Sequence, residues 1–162
     1  MFFSLKTIPL DPDPKMYGLL LIFVYMYQRD YLLMEVQKFA LMLSRLLGLK
    51  AQEKLEEFNK EVEAVLQDEY NSDLEHLLGY TEEQFTTFIK ESGFSAEKLN
   101  ALAQILYVFA QPLVRTPETL LLMRKVLLLF DYLAENHQHT SFQNTEIANA
   151  IYRFIGNPDI SS

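Results

Sequence analysis

Three side chains of the types that bind metal ions lie at helical spacing near the end of an apolar segment. Asp131, Glu135 and His139 are four residues apart, so a helix running through them would place all three on one face. Carboxylate and imidazole ligands suit zinc, manganese or iron. However, Asn136 and the polar residues after it predict that the helix ends near residue 137, where the negative helix end favours a histidine. The sequence therefore predicts no metal site and no cofactor.

A second histidine, His76, lies three residues after Asp73 and shares a helix face with it. A di-iron helical bundle would need Glu-x-x-His motifs on two helices, and the sequence contains no such motif. The G-x-S-x-G nucleophile motif and the phosphate-binding P-loop are also missing from the sequence. The sequence thus assigns no catalytic residue; it favours a non-enzymatic protein and leaves an enzyme open.

The excess negative charge of the chain lies in its middle part. The net charge is −8, and twelve acidic residues accompany three lysines between Glu53 and Glu91. This segment predicts a helix with an apolar stripe from Leu55 to Leu66 and an acidic face opposite. Such a face either keeps the protein soluble or attracts a basic protein partner, and no Lys/Arg cluster is present to bind nucleic-acid phosphates. The candidate partner-binding residues of this face are Glu56, Glu57, Glu61 and Glu63.

Tyrosines crowd an apolar run of twelve residues, 16–27, and the residues just after it. Tyrosine is enriched at protein interfaces, which makes Tyr25, Tyr27 and Tyr31 candidates for self-association into a homo-oligomer. The alternative is that the run forms a buried first turn of the following helix. The run is shorter than the about 20 residues that span a bilayer. It also lacks the features of a signal peptide, so membrane insertion is not expected.

The proline pattern near the N-terminus predicts the domain limits. Residues 1–15 hold three of the six prolines, and the D-P-D-P sequence predicts an extended arm. We predict an N-terminal extension over 1–25, a single helical domain over 26–156 and a C-terminal tail over 157–162. An alternative is that Met26 is the natural start, which an intact-mass measurement of the native protein would decide.

Helix-capping signals recur along the chain, and no segment alternates apolar and polar residues as a strand would. Ser72, Ser95 and Thr116–Pro117 predict helix starts, Thr81 with Gln84 predicts a capping box, and Gly48 predicts a helix end. The predicted helices cover 29–47, 53–70, 73–78, 82–91, 96–113, 117–136 and 143–155. The predicted fold class is all-α, with antiparallel helical hairpins in a bundle or tetratricopeptide-like arrangement.

The predicted helix at 117–136 carries few polar residues. Arg124, Asp131 and Glu135 fall on one narrow stripe, with Glu118 and Lys125 at its edge. A helix that is apolar on most of its circumference cannot face water, so we expect other helices to cover it.

Two stretches carry a resemblance: residues 28–50, and residues 99–107 together with 122–133 and 140–142. They resemble an uncharacterised family of small, all-helical bacterial proteins. The second stretch is similar to a single degenerate tetratricopeptide hairpin, although such repeats normally stack in threes or more. The resemblance implies a helical fold and no particular activity. The positions that match the packing pattern of that hairpin are Leu99, Leu102, Ala103, Leu106, Met123, Val126 and Tyr132.

These observations predict a cytoplasmic protein that acts by binding another protein. The chain has no cysteine, which fits a reducing compartment. Apolar grooves between antiparallel helices would receive a helix or an extended segment of the partner. The alternative is a small-ligand-binding or enzymatic bundle, which an internal pocket with converging polar groups would favour.

Overall fold

The computed structural model describes residues 14–156, and within that range the chain forms helices without strands. This confirms the all-α prediction. The helices are α1 (Pro14–Ala51), α2 (Leu55–Tyr70), α3 (Leu74–Gly79), α4 (Glu82–Ser92), α5 (Ala96–Ala110), α6 (Pro117–His137) and α7 (Phe142–Gly156). The chain divides into two compact units, residues 1–38 and 39–162. Residues 1–13 of the predicted arm and the tail 157–162 lie outside the described residues.

Helix α1 begins earlier than the sequence predicts. Pro14 and Lys15, assigned to the extended arm, are its first residues. Proline is well suited to the first helical position because no intrahelical bond needs its missing N–H. Every residue from 16 to 27 is exposed, so the expectation of a buried first turn is wrong. Apolar side chains surround the helix there on all sides, and the described part of the chain does not cover them.

The predicted helix end at Gly48 is also wrong, because α1 continues for almost another turn to Ala51. The reversal into α2 uses Glu53 instead, which adopts a left-handed backbone with φ 59°. The Lys54 N–H donates to the Leu49 carbonyl at 3.0 Å, and the Gln52 N–H donates to the Gly48 carbonyl at 3.1 Å. These bonds satisfy the last carbonyls of α1, so a glycine is not required to end it.

Helix α2 buries the predicted stripe with one exception. Phe58, Val62, Val65 and Leu66 are buried, whereas Leu55 is 57% exposed. Side chains of a helix lean toward its N-terminus, so the side chain of the first residue projects past the helix end and misses the core.

Side-chain caps start the short helices. Thr81 and Gln84 form the predicted capping box, with reciprocal bonds of 3.0 and 3.1 Å. The predicted cap Ser72 is wrong: the Asp73 carboxylate caps α3 by accepting from the His76 N–H at 2.7 Å. Ser72 is buried instead, where its N–H donates to the carbonyl of Leu66 in α2.

Helix α6 is the central helix of the 39–162 unit, because it packs against α3, α4, α5 and α7. This confirms the expectation that other helices cover it. Thr116 caps it, with its hydroxyl accepting from the Thr119 N–H at 3.1 Å. Arg124, Asp131 and Glu135 form the exposed stripe, as predicted. Lys125, which we placed at the edge of that stripe, is buried instead.

The core of this unit is built mainly by α2, α5 and α6, and each of the other helices contributes one or two buried residues. Ser95 caps α5 as predicted. Tyr70 donates its hydroxyl to the Lys98 carbonyl at 2.7 Å, and Phe58 stacks on Phe109 with ring centres 6.3 Å apart. Tyr132 is half-buried, and the other six positions of the predicted hairpin pattern are buried core residues: Leu99, Leu102, Ala103, Leu106, Met123 and Val126.

Candidate functional site

An open groove lies between the C-terminal half of α1, α5 and α7, within the 39–162 unit. Its volume is about 440 Å³. Apolar side chains dominate the lining, and three polar side chains interrupt them. The groove is lined by Ala40, Leu43, Ser44 and Leu47 of α1, Gln104, Tyr107 and Val108 of α5, and Gln143 and Ile147 of α7.

The lining on α1 follows from the spacing of its residues. Ala40, Leu43 and Leu47 recur at helical intervals and form one stripe along the groove. On another side of the same helix, Phe39 and Leu46 point into the core. This part of α1 is therefore apolar on two sides, one buried and one that remains open.

The polar groups of the groove can form hydrogen bonds. Gln104 donates its amide to the Gln143 side-chain oxygen at 3.4 Å, which links α5 to α7. Ser44 adds a hydroxyl from α1. Among the described residues, no acidic, basic or histidine side chain lines the groove. The arrangement suits binding through apolar contact and a few hydrogen bonds.

Lys50 holds the α5 end that lies beside the groove. Its ammonium donates to the carbonyls of Val108 and Phe109, the latter at 3.2 Å, and lies 4.9 Å from the ring centre of Phe58. These carbonyls belong to the last turn of α5, where backbone donors are scarce, and the Val108 carbonyl also accepts from the Gln111 N–H at 3.2 Å. Burial lowers the pKa of Lys50 below its ordinary value of 10.5. Lys50, in the last turn of α1, thus serves the C-terminal end of a different helix.

Arg115 acts in the same way on α7. Its guanidinium donates to the carbonyls of Phe154 and Ile155 at 3.3 and 3.4 Å. Sequence reasoning missed both long-range caps, because each donor lies about 40 to 60 residues before its acceptors and no local pattern relates them.

The predicted acidic face is present on α2. Glu56, Glu57 and Glu63 are exposed. Glu56 pairs with exposed Lys60 at 3.8 Å, an interaction that contributes little in water. Glu61 differs from the others: it is partly buried and pairs with Arg45 of α1 at 3.3 Å. The structure therefore places three of the four glutamates where a partner could reach them, and it gives Glu61 a role between α1 and α2.

The three candidate tyrosines lie on the part of α1 that belongs to the N-terminal unit. Tyr25, Tyr27 and Tyr31 are 66%, 77% and 61% exposed. Tyr27 and Tyr31 line a shallow depression of about 430 Å³ together with Gln28 and Leu32, and Tyr25 does not. Two of the three tyrosines thus share one face.

Of the three side chains near the end of α6 that could bind a metal ion, the structure places only two beside the same depression. Helix α6 ends at His137, and Gln138 turns the chain with a left-handed backbone. Asp131 and His139 line a small depression of about 110 Å³, and Glu135 does not. Over residues 14–156, no three His, Cys, Asp or Glu side chains form a group that could hold a metal ion.

Asp73 and His76 form a local cap. The His76 Nδ1 atom lies 3.2 Å from the Asp73 carboxylate; the His76 side chain is largely exposed and that of Asp73 is partly exposed. The hydrogen bond from the His76 backbone N–H is the main cause that lowers the pKa of Asp73; desolvation opposes it, and the His76 ring lowers the pKa further. The pair therefore acts on the start of α3.

Comparison with protein families, curated proteins and solved structures finds no match to this chain. In the part of the chain that the structure describes, no helix is both long enough and apolar enough to cross a membrane. The geometry of the groove, the acidic face and α1 therefore carries the functional argument.

Proposed function

We propose that this protein is a non-enzymatic protein-binding module of the cytoplasm whose groove receives an amphipathic helix of a basic partner. The observation that carries the proposal is the open apolar groove between α1, α5 and α7. The absence of cysteine from the sequence fits a reducing compartment.

The groove has the properties that helix-binding grooves use. Leu47 is 53% exposed at its margin, and Tyr107 and Ile147 are half-buried along it. Helix-in-groove recognition needs apolar area for anchors at i, i+3, i+4 and i+7 of the incoming helix, with a few hydrogen-bond groups that fix its position. Ser44 and the Gln104–Gln143 pair supply such groups.

The acidic face of α2 supports a partner with positive charge. The carboxylates of Glu56, Glu57 and Glu63 are exposed, and they are part of a chain whose net charge is −8. An excess of one sign attracts the opposite sign over about 8–10 Å at physiological salt, so it raises the association rate more than the affinity. We therefore assign recognition to the groove and faster encounter to the acidic face.

The groove also supports a second candidate function, the binding of a small apolar ligand. Its volume of about 440 Å³ falls in the range of about 300–1,000 Å³ that is common for ligand pockets. Three neutral polar side chains in the lining could orient such a ligand.

A charge placed in the groove separates these functions from unspecific association. Leu47→Glu puts a carboxylate at the groove margin, and Leu55→Glu makes the same change at a 57% exposed leucine outside the groove lining. Both proteins and the wild type would be cross-linked in cells of the source and their partners quantified by mass spectrometry. We expect at least one protein whose recovery falls about tenfold or more with Leu47→Glu, as for loss of about 1.4 kcal/mol, and stays unchanged with Leu55→Glu.

Neutralisation of the acidic face tests the second part of the proposal. The combined variant Glu56→Gln, Glu57→Gln and Glu63→Gln should slow association of that partner and flatten its salt dependence while its dissociation rate stays the same. If Leu47→Glu changes the recovery of no protein, the module proposal is wrong. Thermal stabilisation of the wild type, but not of Leu47→Glu, by a small molecule would then favour the ligand-binding function.

A further inference from the structure

A row of exposed apolar side chains follows one line along α1 in the N-terminal unit. The spacing between successive members is alternately three and four residues, and each member is 47–77% exposed. This alternation keeps side chains on one line along a helix and is the pattern by which two helices interlock. The row, which we call the seam, consists of Tyr17, Leu20, Val24, Tyr27, Tyr31 and Met34.

The rows beside the seam do not stay apolar. On one side, the row that contains Phe23 also contains the charged residue Asp30. On the other side, Gln28 and Glu35 interrupt the row. Of the lines along this part of α1, the seam therefore presents apolar side chains without a break from 17 to 34.

We propose that the seam is the contact between two copies of this chain, which pair through their α1 helices in antiparallel orientation as a two-fold symmetric dimer. The proposal concerns self-association and is independent of the partner of the groove.

Charge decides the orientation. In a parallel pair, Asp30 of one copy would face Glu35 of the other, because residues five apart meet across the two flanks of such a seam. Like charges placed there disfavour the pair. In an antiparallel pair with the two-fold axis between residues 25 and 26, Glu35 instead lies beside the N-terminal end of the other α1, where the helix dipole favours a carboxylate.

The same register matches the seam to itself along its whole length. Tyr17 meets Met34 of the second copy, Leu20 meets Tyr31, and Val24 meets Tyr27. Every layer pairs a tyrosine with a slimmer aliphatic residue, which is methionine in the outermost layers, leucine in the next and valine in the two central ones. Self-complementarity of this kind is what a two-fold interface requires.

The area available suits a stable dimer. The three seam tyrosines are 55–77% exposed, which leaves roughly 300–480 Å² per copy at about 150–250 Å² for a whole side chain. Leu20, Val24 and Met34 add to this. The seam therefore approaches the about 800 Å² per partner that stable interfaces bury.

Mass measurement of the full chain tests self-association. We expect sedimentation equilibrium to give twice the 18.9 kDa of one chain. Tyr27→Glu with Tyr31→Glu should weaken dimerisation by about 100-fold or more, because four carboxylates would meet in the seam. The control Tyr25→Glu changes an equally exposed tyrosine off the seam and should leave the dimer intact. A wild type that stays monomeric at every concentration, or an assembly that both variants leave unchanged, would overturn the proposal.

Disulfide trapping tests the orientation, and the chain has no cysteine to interfere. Tyr17→Cys and Met34→Cys proteins, mixed and oxidised, should form the mixed disulfide, while neither should cross-link efficiently with itself. Self-linking of Met34→Cys would show parallel helices and refute the antiparallel arrangement.

A membrane surface is the competing occupant of the seam. A monomeric wild type that floats with phosphatidylcholine–phosphatidylglycerol vesicles, and loses this property in the Tyr27→Glu and Tyr31→Glu variant, would assign the seam to lipid and refute the dimer.

Discussion

The ammonium of Lys50 closes the end of α5, and its removal should measure how much that contact stabilises the fold. Lys50→Met keeps the apolar stem beside Phe58 and leaves the carbonyls of Val108 and Phe109 without this donor. A hydrogen bond from a charged group contributes about 1.5–3 kcal/mol. Burial of the ammonium, which also lowers its pKa, offsets part of that gain. We expect the free energy of unfolding to fall by about 2 kcal/mol, which for a chain of this size lowers Tm by about 4–8 °C.

Urea unfolding followed by circular dichroism at pH 7 provides the measurement. The control is Lys54→Met, which removes a lysine whose side chain caps no helix; it should change the free energy of unfolding by less than about 0.5 kcal/mol. If Lys50→Met is as stable as Lys54→Met, the contact with α5 contributes nothing, and our account of how the groove end is held is wrong.

Two further predictions concern the core. Lys125 is buried on α6, and burial lowers its pKa below 10.5 against a smaller opposing effect of Glu82. The unfolded chain therefore binds more protons between the lowered pKa and 10.5, so Lys125 makes stability rise with pH in that window. Lys125→Met should be about 1 kcal/mol more stable than wild type near pH 7, and the difference should shrink toward pH 10.5. A destabilised variant in urea melts at both pH values would contradict this. Leu102→Ala should lower the free energy of unfolding by about 3–4 kcal/mol because Leu102 is fully buried, whereas Leu121→Ala, at a 43% exposed position of α6, should cost far less. Equal effects in thermal melts would show that the assigned core is wrong.

The parts of the fold that local chemistry decides could be predicted from the sequence. Thr81 with Gln84, Ser95 and Thr116 each satisfy backbone donors within three residues, so their patterns are visible without the tertiary structure. The burial of α6 was also predictable, since only other helices can cover so much apolar surface.

The errors arose where distant residues decide the outcome. Gly48 was expected to end α1, but the reversal depends on the backbone bonds around Glu53. Lys125 has a side chain of a type that usually lies at the surface, yet α4 covers it. Its ammonium lies 5.9 Å from the ring centre of Phe85. The type of a side chain alone does not show which other element will pack against it.

The groove could not be located from the sequence, although grooves between helices were expected. Gln104 and Gln143 meet across 39 residues of chain, and Leu47 joins them from a third helix. The apolar excess of α1 was visible, but not which part of it would face the core and which would line the groove. The acidic face was predictable because the spacing of the glutamates within one helix decides on which side of that helix they lie.

The caps that Lys50 and Arg115 place on α5 and α7 also bear on how the unit can be divided. In both cases the donor precedes the helix in the chain, so the last carbonyls of each helix depend in part on a side chain from outside that helix. A fragment that begins at α5 would contain the α5–α6 pair but not Lys50, and a fragment that ends before α7 would leave Arg115 without its carbonyls. The two helices are therefore not autonomous building blocks, and the boundaries at which this unit could be cut, permuted or grafted onto another protein lie outside residues 50–155.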